Sequence, residues 1–179
     1  MIRSPFSLLP LALLATPSAV YATTYLTVQQ AQAQLFPGEM MHPEFRQLSD
    51  AQIAAIKKAS GEGPLGKELK VWRASGGGWF IVDQVVGKHE FITYALALDA
   101  GGAVKGAEIM DYRESYGGEV RNPRWLAQFI GKHAGDALRL GKPIKNISGA
   151  TLSCRHITEG VQRLLKLHAA ALKARPDIQ

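Results

Sequence analysis

The sequence predicts an α+β fold, an antiparallel β-meander packed with helices, and three observations carry that reading. Residues 69–112 hold four β-rich runs separated by short turn material. Ahead of them, Thr27-Val28-Gln29-Gln30 and Ser49-Asp50-Ala51-Gln52 each carry the capping-box signature that opens a helix. Behind them, Ile157, Val161, Leu164, Leu165 and Leu172 mark one apolar stripe of a last amphipathic helix. With 179 residues, 46% of them hydrophobic, the chain is long enough for one domain with a real core and too short for two large ones.

The chain starts with Met1-Ile2-Arg3, an apolar run from Phe6 to Ala15 broken by Pro10, and Val20-Tyr21-Ala22 at a cleavage-like site. Residues 1–22 therefore read as a secretory signal peptide. The expected location is periplasmic or otherwise extracytoplasmic after cleavage, with an uncleaved anchor, and so membrane association, as the alternative. No later segment approaches the roughly 20 apolar residues of a membrane span.

In residues 23–64, Val28, Ala31 and Leu35 continue one face of a short helix that Pro37-Gly38 ends. Ser49 starts a second helix through about Ala59, with Ile53 and Ile56 on its buried side, before the breaker-rich stretch Ser60 to Gly66. Neither helix carries enough apolar surface to bury a core alone, so the expectation is an N-terminal helical layer on a main domain of residues 65–179. The strands are expected at Leu69 to Ala74, Trp79 to Val86, Phe91 to Leu98 and Val104 to Tyr112. Their connections are too short for parallel crossovers, so successive strands must pair antiparallel. Asp99-Ala100-Gly101-Gly102 is the clearest hairpin turn.

Two later stretches carry candidate chemistry. Tyr112-Arg113-Glu114-Ser115-Tyr116-Gly117-Gly118-Glu119-Val120 ends a strand in charged, hydroxyl and glycine residues, a composition that lets backbone approach a planar ligand, or else a solvated loop. Ile147-Ser148-Gly149-Ala150-Thr151-Leu152-Ser153 leads small residues to a hydroxyl at a helix start. There, unpaired N–H groups and the positive end of the dipole favour a phosphate; an ordinary loop and N-cap is the alternative. Between them, Asn122-Pro123 begins a helix expected to run to about Ile130, burying Leu126, Phe129 and Ile130, with Gly131 as its stop. The single cysteine, Cys154, permits no internal disulfide and reads as a small helix residue. The five histidines have no ligand spacing, and no metal is expected.

Ser148-Gly149-Ala150-Thr151 resembles the flavinylation motif of the FMN-binding domain family, found in RnfG-like and NqrC-like subunits of ion-pumping redox complexes and in small exported flavoproteins. Glu114 and Ser115 are similar to the Glu-Thr-Pro-Gly loop of that family, with Tyr116 in place of its proline. Phe129-Ile130-Gly131-Lys132 resembles its Phe-x-Gly-Lys element, and Trp79 after Gly78 a position that packs near the ring. The likeness covers roughly residues 65 to 172, in the family's order. One departure stands out: Lys145 occupies the place of an aspartate three residues before the first hydroxyl.

The resemblance implies FMN as cofactor, joined by a phosphoester to Thr151 by a dedicated flavin transferase. Ser148, Gly149, Ala150, Leu152, Ser153, Glu114, Ser115, Gly118, Lys132 and Trp79 are the further implied cofactor-binding residues. It implies an exported electron carrier between a membrane redox protein and an extracytoplasmic acceptor, without deciding whether the protein is itself an enzyme. The alternative is a noncatalytic exported binding or assembly module of the same fold that holds FMN noncovalently or not at all, favoured by Lys145. A hydrolase built on Ser148, Ser153 or Cys154 lacks a paired base and orienting acid. Of the formal net charge of +6, one unit is Arg3, the only charged side chain before Thr23, and the rest is spread without a basic run. Nucleic acid is not an expected partner.

Overall fold

The computed structural model describes residues 23–172, so the signal-peptide reading of residues 1–22 and the helix end expected near Arg175-Pro176 lie outside the described residues. Four long strands form the meander: β4 (Glu68–Ala74), β5 (Trp79–Val86), β6 (Phe91–Leu98) and β7 (Val104–Tyr112). All pairings are antiparallel, and Trp79 opposes Leu98 at one end of the sheet while Val85 opposes Ile92, and Ile92 opposes Tyr112, at the other.

Three short strands extend this sheet. β1 (Thr23–Thr24) pairs with β7, whereas β2 (Met41–Pro43) and β3 (Arg46–Gln47) both pair with β4, giving the order β1-β7-β6-β5-β4-β2 with β3 beside β2. These strands escape the sequence pattern because two or three residues are too few to show an alternation.

The helices of residues 23–64 do not form the expected layer. Both are opened by complete capping boxes, at Thr27 for α1 (Val28–Leu35) and Ser49 for α2 (Asp50–Ser60). They lie on opposite faces of the sheet, because strand side chains alternate. Ala31 and Phe36 pack with Phe80, Ala95, Ala97 and Met110 on one face. Leu48 and Ile56 join Val71, Ile81, Leu96 and Ile109 on the other, beneath the long C-terminal helix α4 (Thr151–Leu167).

That second face holds most of the core. Ile157, Val161, Leu164, Leu165 and Leu172 are all buried there, as the apolar stripe predicts, and a π-helical turn (His168–Leu172) continues the helix. Gly160 sets how closely α4 approaches the sheet: a Cβ there would stand 2.6 Å from the Tyr94 hydroxyl. The helix expected to reach Ile130 is shorter, α3 (Pro123–Leu126) followed by a 3-10 turn (Ala127–Phe129), and Ile130 is 56% exposed rather than buried. Gly131 is the stop, its N–H donating to the Val104 carbonyl.

Candidate functional site

The segment before α4 is fixed from behind. Ile144 and Leu138 are buried in the core. The Trp125 indole N–H donates to the Lys145 carbonyl (2.7 Å), and the Lys145 N–H donates to Gln128 Oε1 (2.8 Å). The Lys145 backbone is thus clamped to α3 and the 3-10 turn after it, while the residue stays exposed. A turn closed by Ala150 N–H on the Ile147 carbonyl follows, with Gly149 at φ +87°, a conformation that strains any residue with a Cβ.

Thr151 is the first residue of α4, and the position before it is Ala150, which has no side-chain hydrogen bond to offer. The side-chain cap of the ordinary-loop alternative is therefore absent. α1, α2 and α3 each have a side-chain cap, the hydroxyls of Thr27 and Ser49 and the amide oxygen of Asn122. The first intrahelical bond of α4 is the Cys154 N–H to the Ala150 carbonyl, so the N–H groups of Thr151, Leu152 and Ser153 precede the ladder at the positive end of a 17-residue helix. Thr151 is exposed, and its Oγ1 accepts a hydrogen bond from Asn146 Nδ2 (2.9 Å).

The loop after β7 faces this helix start. Tyr112 gives its single proton to the Tyr116 carbonyl, so the Ser153 hydroxyl, 2.9 Å away, donates to Tyr112. The hydroxyl chain ties the loop to the first turn of α4. Gly117 lies in the contact at φ +91°, where a Cβ would stand 2.7 Å from the Tyr112 hydroxyl and 2.8 Å from Ser153 Oγ. Burial raises the Tyr112 pKa, keeping the phenol protonated and able to donate.

Glu114 closes the site from the strand side. Its Oε1 accepts from the His89 and Glu90 N–H groups of the β5–β6 turn. Burial pushes its pKa up, but hydrogen bonds from the turn backbone outweigh that, and the carboxyl is held below its ordinary value. The same turn passes so close that a Cβ on Gly87 would stand 2.5 Å from Oε1.

Between helix start, loop and turn lies a pocket of about 210 Å³ lined by Lys88, Glu114, Tyr116, Gly117 and residues 149–153. Of the residues implied by the sequence, Glu114, Gly149, Ala150, Thr151, Leu152 and Ser153 meet here. Ser148, Ser115 and Gly118 adjoin lining residues in the chain without lining the pocket, and Ser148 and Ser115 are exposed.

Trp79 and Lys132 are not brought to this place. Trp79 opposes Leu98, which opposes Val104, and the Val104 N–H donates to the Lys132 carbonyl. Both therefore sit at the Val104 end of β7, whereas Glu114 follows its Tyr112 end, a strand length of roughly 26 Å away. Trp79 is a buried core aromatic with the Arg73 guanidinium over its ring at 4.4 Å and His168 edge-on to it. Lys132 serves through its backbone, which anchors the start of β7.

Lys88 and Asn146 escape a motif reading. Meander parity is the signal that finds Lys88: the β5–β6 turn and the end of β7 must share one end of the sheet. Cys154 is fully buried, and burial raises its thiol pKa, which makes it a poor nucleophile. Among the described residues no group of His, Cys, Asp and Glu could hold a metal ion.

A site of unladdered N–H groups, a positive helix end and a lysine fits a phosphate. An exposed threonine hydroxyl beside it fits an ester to that phosphate. The pocket is smaller than the about 300–1,000 Å³ that enclose a whole drug-sized ligand, so it suits the phosphate end of a larger molecule. Residues 87–166 match the family model of the FMN-binding domain. The span includes Glu114, Lys132 and Ser148 to Thr151 and leaves out Trp79, and the resemblance read in the sequence is borne out over it. No curated relative matches the chain.

Proposed function

From a flavin-binding region placed over this pocket, we propose that the protein is an exported flavoprotein electron carrier with FMN esterified through its phosphate to Thr151 Oγ1. A flavin transferase makes the attachment, and the carrier then relays electrons between a membrane redox protein and an extracytoplasmic acceptor. The single observation that carries this reading is the start of α4: an exposed Thr151 hydroxyl directly beside three N–H groups with no capping side chain, inside the FMN-binding span.

The residues have separable tasks. Thr151, Leu152 and Ser153 N–H groups and Lys88 hold the phosphate, and Asn146 orients the Thr151 hydroxyl. Tyr112, Ser153 and Glu114 fix the loop and turn that wall the site. Bound FMN supplies the electron-accepting and electron-donating chemistry; the protein supplies position and electrostatic setting. A covalent link suits export, because occupancy no longer follows the concentration of free cofactor relative to its dissociation constant.

Lys145 favours a second reading, in which the fold serves as a noncatalytic binding or assembly module. Its side chain stands in the motif's acidic position on an exposed stretch whose backbone is already held by Trp125 and Gln128. Coexpression with a flavin transferase separates the two. The proposal expects an intact mass raised by one FMN residue and a fluorescent band in a denaturing gel, both lost in Thr151→Ala and kept in Thr151→Ser. An unmodified mass in the parent protein favours the module.

A further inference from the structure

Outside the phosphate pocket, the surface next to Thr151 carries a group of exposed cations. Leu138 and Ile144 are buried and anchor the turn between them. The Ile144 N–H donates to the Arg139 carbonyl and the Gly141 N–H to the Ile144 carbonyl, which leaves Lys142 at the exposed tip. Arg139, Lys142 and Lys145 are thus exposed on one short turn, and Asn146, the next residue, donates to Thr151 Oγ1. Arg155 is also exposed, one helical turn after Thr151 on the same face of α4. It lines a cleft of about 450 Å³ together with Arg139, so the turn and the helix face join into one surface.

Charge and polarity together say what fits this surface. None of the four cations has an ion-pair partner among the described residues, whereas Lys105 and Arg163 do. Glu159 is the one acid lining the cleft, so the balance of the surface is positive. The turn also keeps its larger apolar side chains covered, Leu138 and Ile144 in the core and Leu140 in part. A lipid surface is held by inserted apolar side chains as well as by charge, and this turn presents charge alone. A polar contact guided by charge is instead what a transient encounter between two proteins uses.

Resting on the reading that Thr151 carries FMN, we propose that the turn of residues 139–145 and the Arg155 face of α4 form the docking surface for an acidic redox protein. Carboxylates of that partner pair with Arg139, Lys142, Lys145 and Arg155, which brings its electron-exchanging centre to the side of the molecule where the flavin is attached. Unpaired cations raise the rate of encounter with an acidic partner and disfavour a basic one. Lys145, standing in the motif's acidic position, then has a use of its own in this chain: it extends the positive surface to the residue next to Asn146.

Small oxidants of opposite charge report the field that a partner meets. The protein is made with transferase, its flavin is reduced, and reoxidation is followed by stopped flow between about 10 and 100 mM ionic strength, where charges reach about 30 and 10 Å. Each reduced flavin passes two electrons to two ferricyanide anions, taking their iron from Fe(III) to Fe(II), and releases two protons to water; hexaammineruthenium(III) cations accept the electrons in the same ratio. The ferricyanide rate is expected to fall as salt is added and to drop several-fold in Lys142→Glu, with the ruthenium rate moving the opposite way. Lys70→Glu, an exposed site on β4 with the same change in net charge, is expected to move both rates much less. Equal effects of the two variants overturn the docking surface and leave the Thr151 reading standing. Flotation of the protein with phosphatidylglycerol vesicles, abolished by Lys142→Glu, also overturns it by assigning the turn to a membrane. Absence of an FMN adduct in the parent overturns both.

Discussion

The role proposed for Thr151 rests on what surrounds it rather than on any feature of threonine. A hydroxyl one residue earlier would cap the helix and occupy the N–H groups; at the first helical position it stands beside them instead. Gly117 shows how closely the wall opposite is built. Gly117→Ala meets both a positive φ and two hydroxyl oxygens, and is expected to cost about 1–3 kcal/mol in urea denaturation while lowering covalent FMN yield. Gly149→Ala has open space and only the φ penalty, about 1–2 kcal/mol. Equal losses in the two variants would remove the case for a tight loop contact.

Glu114 gives a pH dependence at the same scale. Its folded pKa is depressed, so its contribution to stability is present above the unfolded value and is lost as pH falls through the folded one. An NMR titration of the side chain is expected to show a midpoint below the ordinary glutamate value, and Glu114→Gln to flatten the acid limb of the stability curve. A midpoint at or above the ordinary value contradicts the turn clamp.

Among the elements, α4 links site and core. Its first turn faces the pocket, Gly160 lets it settle on the sheet, and Arg163 is buried against Asp83, which also accepts the Tyr94 hydroxyl at 2.9 Å. Removing one partner strands a buried charge: Asp83→Ala is expected to cost about 3–5 kcal/mol. Loss of the α2 cap in Ser49→Ala is expected to cost only about 1 kcal/mol, since that site is exposed. Chemical denaturation of the two variants checks the ranking, and a smaller loss for Asp83→Ala than for Ser49→Ala would show the network to be dispensable. Residues 79–86, 91–98 and 104–112 were legible as strands because alternation and turn chemistry agree there, and Thr27 and Ser49 were legible as caps. Ile130 was not, because its apolar side chain fits the helical pattern and only the Gly131 bond to Val104 shows where the chain turns away.

For the whole molecule, the sheet decides which distant residues can meet. A four-strand meander puts the β5–β6 turn and the end of β7 together, and sends the start of β5 to the opposite end. That parity unites Glu114 with Thr151 and separates both from Trp79 and Lys132, which the family resemblance had grouped with them. The faces taken by α1 and α2 were likewise hidden, because both are capped and similarly amphipathic and the choice depends on β1, β2 and β3, strands too short to announce themselves. Motif residues are local and survive in sequence; Lys88, which completes the pocket, comes from a turn far from both candidate stretches, and the Tyr112–Ser153 contact that joins those stretches is not readable from either alone.

The most direct test is fragmentation mass spectrometry of the tryptic peptide Asn146–Arg155, bounded by cleavage at Lys145 and Arg155, from protein coexpressed with a flavin transferase. The account predicts an FMN phosphoester on Thr151 and unmodified Ser148 and Ser153. A peptide that carries no FMN, or carries it on either serine, would contradict the assignment.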